Sequence, residues 1–331
     1  MNALTVSPPS ASSLRALPVD AVDRDRELAA VLGDDAVMAA LARRHGLLAE
    51  SAILARGPVI AEMTRAVAAI DGALRAGAPQ GARPGVLGFD FHLGAAGPRL
   101  IEVNTNPGGL LLVLAQQRAA LRRWPDLVPA GLEAEPAEQR ALAAFAGSAR
   151  RVAIVDDDPH GQFLYPEFLL YRRGYARRGL GGDIVDAGRW RGGFDGVHNR
   201  LTDFTLTQPD HAALARDHTA GRVILIPDPA GHDAFADKRR LTELCRHPSC
   251  APWVPPCALG CENWEATWPA RHRLFFKPTL GFGGKGGYRG DKISRATWEK
   301  LVPAATLVQD LVPPPVLDNG FKVDIRAFAL G

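Results

Sequence analysis

Alternating apolar and polar residues predict a β-hairpin whose turn spans Gly94–Gly97. Its first strand carries Asp90, and its second strand, Arg99–Val103, brings Glu102 and Asn104 to one face because side chains alternate along a strand. Carboxylate and amide oxygens suit Mg²⁺, which also keeps room for water and nucleotide phosphates. The trio therefore predicts a magnesium site, and solvated acids on an exposed strand face are the alternative.

Helical periodicity dominates the flanks of this hairpin. Apolar residues recur at helical spacing from Ala21 to Ala76, which predicts two or three helices, and again over Leu110–Arg123. Residues 1–18 are rich in Ser, Pro and Ala and are expected to be disordered. Residues 19–124 are thus predicted to be a helical segment with a hairpin, followed by a turn-rich connector over Pro125–Pro136.

Apolar strands and helices alternate over residues 151–235, which predicts an open α/β domain. Val152–Val155 is a continuous apolar run, typical of a buried parallel strand. Ligands bind such sheets beyond the carboxyl ends of the strands. Candidate substrate residues are therefore Gln162, Asn199 and Arg200, and structural capping of these loops is the alternative.

Residues 236–331 predict a third unit of α+β character. Its elements are a helix starting at Asp237, a strand over Leu274–Pro278, a glycine-rich loop over Gly281–Gly287, a strand at Tyr288, a helix from the N-cap Ser294 through Leu301, a strand over Leu307–Val312 and an alternating strand over Phe321–Leu330.

The glycine-rich loop is a candidate phosphate cradle because its five glycines let backbone amides approach phosphate oxygens. It is not a P-loop, since no hydroxyl residue follows Lys285. It is not a dinucleotide fingerprint either, because a strand at Tyr288 intervenes before the next helix. A flexible surface loop is the alternative.

Composition narrows the class of protein. The chain has 331 residues, 47% of them apolar and 23% charged, with a net charge of +3, which is ordinary for a globular protein and favours no nucleic-acid partner. Apolar runs are too short for a membrane span, and Met1–Pro18 lacks the features of a signal peptide. We therefore expect a cytoplasmic protein with no membrane partner.

Four cysteines fall in one short segment, with four, six and three residues between Cys245, Cys250, Cys257 and Cys261. Structural zinc sites usually contain paired two-residue gaps. The spacing therefore favours reduced thiols, and a metal site is the alternative.

The elements after Asp237, together with the hairpin and its Asn-Thr-x-Pro-Gly continuation at Asn104–Gly108, resemble the ATP-grasp superfamily. The resemblance covers residues 151–331 and 86–109, and it is closest to the glutathione-synthetase-like and tubulin-tyrosine-ligase-like branches. It implies two α+β lobes that clamp ATP, with residues 236–331 as nucleotide-binding lobes and residues 151–235 as the substrate domain.

The same resemblance implies roles for individual residues. Lys238 and Lys277 match the lysines that hold ATP phosphates, and the trio of Asp90, Glu102 and Asn104 matches the ligands for one or two Mg²⁺ ions. The implied catalytic residues are Lys322, Asp324 and Arg326, the implied lid includes Gly283, Gly284, Lys285, Gly286 and Gly287, and the implied adenine hinge comprises Val308, Gln309, Asp310 and Leu311.

The order of these parts differs from that of the family. The metal strand ordinarily follows the Lys-x-Asp-x-Arg strand, whereas here Asp90–Asn104 precedes Lys322–Arg326, so the sequence looks circularly permuted. The family's Arg- and Asn-rich stretch is also missing before Gly331. Two interpretations stay open: the sequence is truncated at its C-terminus, or the enzyme is incomplete.

The resemblance implies an ATP-dependent ligase that joins a small-molecule or peptide carboxylate to an amine or a thiol through an acyl phosphate. A kinase that phosphorylates a hydroxyl on the same scaffold is one alternative, and a non-catalytic ATP-binding module is another. The two co-substrates and the oligomeric state do not follow from the sequence.

Overall fold

A computed structural model describes residues 13–94, 96–127, 131, 133–280 and 286–330 of the chain. The strands in these residues are β1 (Leu14–Pro18), β2 (Ser51–Ala55), β3 (Leu87–Gly94), β4 (Gly97–Asn104), β5 (Val152–Asp156), β6 (Gly181–Asp186), β7 (Gly196–Asn199), β8 (Ile224–Ile226), β9 (Cys257–Leu259), β10 (Leu274–Pro278), β11 (Tyr288–Arg289), β12 (Thr306–Asp310) and β13 (Ile325–Ala329).

The helices are α1 (Ala21–Leu32), α2 (Asp35–Ala42), α3 (Gly57–Ala76), α4 (Leu110–Arg123), α5 (Ala134–Ala146), α6 (Tyr165–Arg177), α7 (Ala212–Thr219), α8 (Pro229–Phe235), α9 (Arg240–Leu244), α10 (Trp264–Ala270) and α11 (Arg295–Trp298). The protein is therefore of mixed α/β class, as predicted.

The predicted hairpin is confirmed as β3 and β4, which form an antiparallel sheet with β13 in the order β13-β3-β4. Phe89 and Phe91 on β3 are fully buried and pack with residues of α3, such as Ile70. Because strand side chains alternate, Asp90 lies on the opposite face. In this register, Asp90 is paired with Arg326 of β13 on one side and with Glu102 of β4 on the other.

The predicted α/β unit contains a parallel sheet in the order β6-β5-β7-β8. All five residues of β5 are buried, which explains its continuous apolar run. The backbone N–H of Arg200 donates to Val155 O at 2.8 Å, so the chain leaves β7 beside the end of β5. The carboxyl ends of these two strands therefore meet at one edge of the sheet.

Three predicted strands of the third unit form an antiparallel sheet with the unpredicted β9, in the order β11-β10-β12-β9. Lys277 on β10 and Gln309 on β12 are both buried. The N-cap Ser294 is confirmed, because its side chain accepts from Thr297 N at 3.1 Å. The helix that follows is shorter than predicted and ends at Trp298.

Several sequence predictions were wrong. Residues 14–18 were expected to be disordered but form β1, which pairs with the unpredicted β2. The connector predicted over Pro125–Pro136 leads into α5, which begins at Ala134. The alternating strand predicted from Phe321 starts only at Ile325, because residues 315–323 fold into a hairpin of their own: Val323 N donates to Pro315 O at 3.1 Å.

Candidate functional site

The side chains of the predicted metal trio converge on the open face of the hairpin. Asp90 is paired directly with Glu102 across the two strands. Asn104 Nδ2 donates to Asp90 Oδ2 at 3.1 Å and to Glu102 Oε1 at 3.4 Å. Since the oxygen and nitrogen of an amide have nearly the same shape, a rotation of Asn104 would turn its oxygen toward the same point. The donor set fits a hard cation such as Mg²⁺.

This trio contains only two carboxylates. Across the described ranges, no group of three or more His, Cys, Asp or Glu residues is placed to hold a metal ion. A cation at the hairpin would therefore need the Asn104 amide and further oxygen atoms from water or a phosphate. Mg²⁺ sites that also hold a nucleotide use this kind of partial protein shell.

Arg326 lies against the trio, because β13 is the neighbour of β3. Its Nε donates to Asp90 Oδ1 at 2.5 Å and its Nη2 to Asp90 Oδ2 at 2.6 Å, a bidentate pair. The hydrogen bond with Asp90 raises the pKa of Arg326. Its Nη1 also donates to Gly108 O at 3.4 Å, in the loop that follows Asn104. The predicted metal and catalytic residues Asp90 and Arg326 are therefore in direct contact.

A hydrogen bond from Lys277 joins the third unit to the hairpin. Its buried ammonium group donates to Ile101 O at 2.7 Å, next to Glu102, and to Gln309 Oε1 at 2.7 Å. Burial lowers the pKa of Lys277 to about 8, a change that the negative charge of Glu102 opposes and the positive charge of Lys238 adds to. Lys238 and Glu102 also line one small cavity. Both predicted phosphate lysines therefore lie near Glu102 of the predicted metal trio.

The lowered pKa of Lys277 predicts a pH dependence for nucleotide binding. An anionic phosphate favours the charged lysine, so affinity should be highest below pH 8 and should fall as pH rises through about 8, approaching about tenfold per unit. Titration calorimetry with Mg-ATP from pH 6.5 to 9.5 measures this. Lys277→Met, which removes the charge at similar size, should bind weakly without this step. A wild-type affinity that is constant over the range would contradict the prediction.

The other residues predicted for the adenine hinge and the final strand differ in their burial and in their contacts. Val308 is buried in the core with Trp298, while Asp310 is exposed at the end of β12. Asp324 Oδ1 lies 2.6 Å from His92 Nε2, and this contact lowers the pKa of Asp324. Lys322 is exposed, pairs with Val316 in the small hairpin and lies three residues before β13 begins.

The predicted lid is only partly within the described residues. Gly283, Gly284 and Lys285 lie outside them. Gly286 has a φ of 75°, a conformation that favours glycine, and Gly287 leads into β11.

The substrate candidates of the α/β unit also differ in what they contact. Asn199 is committed to the backbone, since its Nδ2 donates to Pro227 O at 3.0 Å and its Oδ1 accepts from Leu201 N at 3.1 Å. Gln162 Nε2 donates to Asp157 O at 2.6 Å. Arg200 is 6% exposed and donates to Asn106 in the loop that follows Asn104, but its buried Nε has no partner among the described residues.

Glu167 is a residue of this region that sequence reasoning missed. It is fully buried on α6 and accepts from Gly109 N at 2.8 Å and from Leu111 N at 3.0 Å, so it caps the N-terminus of α4. Burial raises the pKa of Glu167, and the charge of Arg200 opposes that change. The loop after Asn104 is therefore held to the α/β unit by Glu167 and Arg200 together.

A second group that was missed surrounds His211 near the carboxyl end of β5. His211 is buried, with Nδ1 2.9 Å from Asp203 Oδ2 and Nε2 2.8 Å from Asp157 Oδ1. Burial opposes protonation, but the two hydrogen bonds outweigh it and raise the pKa of His211. Burial also raises the pKa of the neighbouring Asp156 to about 7. His211 comes 54 residues after Asp157, so no local pattern could have revealed the group.

Comparison with known proteins places this chain beside two solved structures. One is a candidate gamma-glutamylcysteine synthetase from Methylobacillus flagellatus KT, with 13% identity, a TM-score of 0.44, and coverage of 83% of this chain and 80% of that one. The other is a glutathione synthetase-like effector, GSS30, from Globodera pallida in its apo form, with 13% identity, a TM-score of 0.44, and coverage of 78% and 70%. No protein-family model and no curated protein matches the chain.

Likeness at this level assigns no activity, so the chemistry must rest on the contacts of the site itself. None of the helices in the described part of the chain is long and apolar enough to span a membrane.

Proposed function

We propose that the protein is an ATP-dependent ligase that joins a carboxylate to an amine or a thiol through an acyl phosphate, using Mg²⁺. The observation that carries this proposal is the contact of the buried Lys277 ammonium with Ile101 O, beside Glu102. It supports the proposal because it brings the proposed phosphate-binding lysine next to the proposed cation site from a distant part of the chain. Arg326, paired with Asp90, adds a positive group on the same face.

Each residue would act mainly by holding charge in place. Lys238 and Lys277 would bind ATP phosphates, and the backbone of residues 308–311 would bind adenine. Glu102, Asn104 and Asp90 would hold Mg²⁺, which when bound neutralises phosphate charge and orients the phosphates. Arg326 would release Asp90 and stabilise the transferring phosphoryl group. Such positioning and charge stabilisation supply most of the catalysis in phosphoryl transfer.

The proposed reaction has two steps. A carboxylate oxygen of the substrate attacks the γ-phosphorus of ATP, and ADP leaves, which gives an acyl phosphate. The amine or thiol then attacks the acyl carbon, loses its proton to solvent or a nearby base, and expels phosphate. The carboxylate substrate would approach from the α/β unit, where Arg200 and Gln162 remain the proposed contacts. The Asn199 side chain is not proposed as a contact, because it is hydrogen-bonded to the backbone.

The pairing of β13 with β3 supports the proposed circular permutation. Arg326 and Asp90 are 236 residues apart in the chain, yet their strands are neighbours in one sheet. Active sites depend on geometry and not on chain order, so a reordered chain can still assemble the same groups.

Trapping of the acyl phosphate tests the proposal. The purified protein is incubated with Mg-ATP, hydroxylamine as a general amine, and a panel of amino acids, dicarboxylic acids and short peptides. We expect phosphate release that requires a carboxylic acid, together with the matching hydroxamate. A stable phosphoester would identify a kinase, and tight ATP binding without turnover would identify a binding module.

A further inference from the structure

The cysteine segment separates into a pair and two unrelated thiols. Cys250 is fully buried and donates to Ala69 O at 3.6 Å, and Cys261 is exposed at the surface. Cys245 and Cys257 are both half-buried free thiols. As noted above, the described residues contain no cluster of His, Cys, Asp and Glu that could hold a metal ion. The chemistry open to the segment is therefore that of two neighbouring thiols.

The Cys245 thiol contacts the backbone of Cys257. Cys245 Sγ lies 3.4 Å from Cys257 O and also 3.4 Å from Thr242 O, to which a thiol can donate. Burial raises the pKa of the Cys257 thiol, and the neighbouring Cys245 side chain raises it further by its charge and hydrogen bond. Only a short segment separates the two cysteines, so little loop entropy opposes a bond between them.

The pair lies between the two segments that hold the proposed phosphate lysines. Cys245 directly follows α9, which begins two residues after Lys238. Cys257 begins β9 and is paired across the sheet with Gln309, whose side chain accepts from Lys277. The positive charge of Lys277 opposes the rise in the pKa of Cys257, and the Cys257 thiol in turn opposes the fall in the pKa of Lys277.

We propose that Cys245 and Cys257 form a reversible disulfide that regulates nucleotide binding. The co-reactant is a small-molecule disulfide such as oxidised glutathione. Because the raised pKa of Cys257 disfavours its thiolate, Cys245 attacks first: its thiolate attacks one sulfur of that disulfide and expels a thiolate, which takes up the proton that Cys245 lost. The second cysteine attacks the mixed disulfide and releases the second small thiol, so two protein thiols are oxidised and one disulfide is reduced.

Oxidation should weaken binding of Mg-ATP because the new bond fixes the spacing between the segments of Lys238 and Lys277. The disulfide then opposes any movement of Lys238 and Lys277 toward the phosphates. We expect affinity to fall about tenfold, a usual size for coupling between two sites, and bound nucleotide should oppose oxidation by the same factor. This regulatory effect rests on the proposed function, whereas formation of the disulfide does not.

Peptide mapping tests the disulfide itself. The full chain is incubated with oxidised glutathione, alkylated, digested without reduction and examined by mass spectrometry. We expect a peptide that links Cys245 to Cys257, present also in the control variant Cys261→Ser and absent from Cys245→Ser. Thiols that stay reduced, or glutathione adducts without the linked peptide, would overturn the proposal.

Calorimetry with Mg-ATP tests the regulation. Oxidised wild-type protein should bind about tenfold more weakly than reduced protein, with recovery after dithiothreitol, and Cys245→Ser should not respond to the oxidant. Equal affinity in both redox states would overturn the regulatory effect. If the reduced protein fails to bind Mg-ATP, the proposed function and the regulation both fall, whereas the linked peptide still decides whether the pair forms a disulfide.

Discussion

Glu102→Gln should lower Mg²⁺-dependent ATP turnover by about 1000-fold, equivalent to about 4 kcal/mol of transition-state stabilisation. Glu102 is paired across the hairpin with Asp90 and lies within reach of the Asn104 amide, so it supplies half of the carboxylate charge of the trio. Glutamine keeps the shape of the side chain and removes that charge. The fold should survive, because the change creates no cavity.

ADP release in the presence of the best carboxylic acid and hydroxylamine measures this effect, with thermal unfolding as the check on folding. Glu299→Gln is the matched control, since this acid pairs with Arg295 on the surface of another unit and its side chain is 54% exposed. The control should keep wild-type turnover. Turnover by Glu102→Gln within about threefold of wild type would show that the trio is not the metal site.

Glu167→Ala should lower the free energy of unfolding by about 3–5 kcal/mol. The carboxylate is fully buried and accepts from the backbone of Gly109 and Leu111. Its removal leaves two backbone N–H groups without their acceptor and takes away the negative charge near Arg200, and each buried unsatisfied group costs about 1–3 kcal/mol. The loop after Asn104 should loosen as well, so Mg²⁺-dependent ATP binding should weaken.

Urea unfolding measures the loss. Glu167→Gln keeps the volume and one acceptor oxygen, so it should lose less stability than the alanine variant. Glu135→Ala, at an exposed position in the first turn of α5, should stay within about 0.5 kcal/mol of wild type. An unfolding midpoint of Glu167→Ala equal to that of wild type would mean that Glu167 does not hold the loop.

Local patterns were enough to predict the hairpin and α4. The alternation over β3 places Phe89 and Phe91 in the core and Asp90 on the open face, and that alternation is visible in the sequence. α4 begins at Leu110, as predicted, directly after Gly109, whose φ of 92° favours glycine. Convergence of the metal trio followed from the hairpin alone.

The contacts that complete the site could not be predicted in this way. Lys277 donates to a carbonyl 176 residues away, and Glu167 accepts from a backbone N–H 58 residues away. The resemblance implied that Gln309 belongs to an adenine hinge, and it gave no sign that the Gln309 side chain accepts from Lys277. Such pairs depend on how separate units pack, and single-sequence periodicity does not contain that information.

For β1, the prediction of disorder from amino-acid composition was wrong. A segment rich in Ser, Pro and Ala suggests disorder, but Leu14 is buried against the core that includes α3. Pairing with β2 satisfies its backbone, and that partner has no strong strand pattern of its own. Tertiary contacts therefore decided the outcome against local preference.

A crystal structure with Mg²⁺ and a non-hydrolysable ATP analogue tests the central claim most directly. The account predicts the phosphates of the analogue between Lys238 and Lys277, with Mg²⁺ held by Glu102 and Asn104 and with Arg326 turned from Asp90 toward the γ-phosphate. A nucleotide bound elsewhere, or a Mg²⁺ ion without contact to the hairpin, would contradict it.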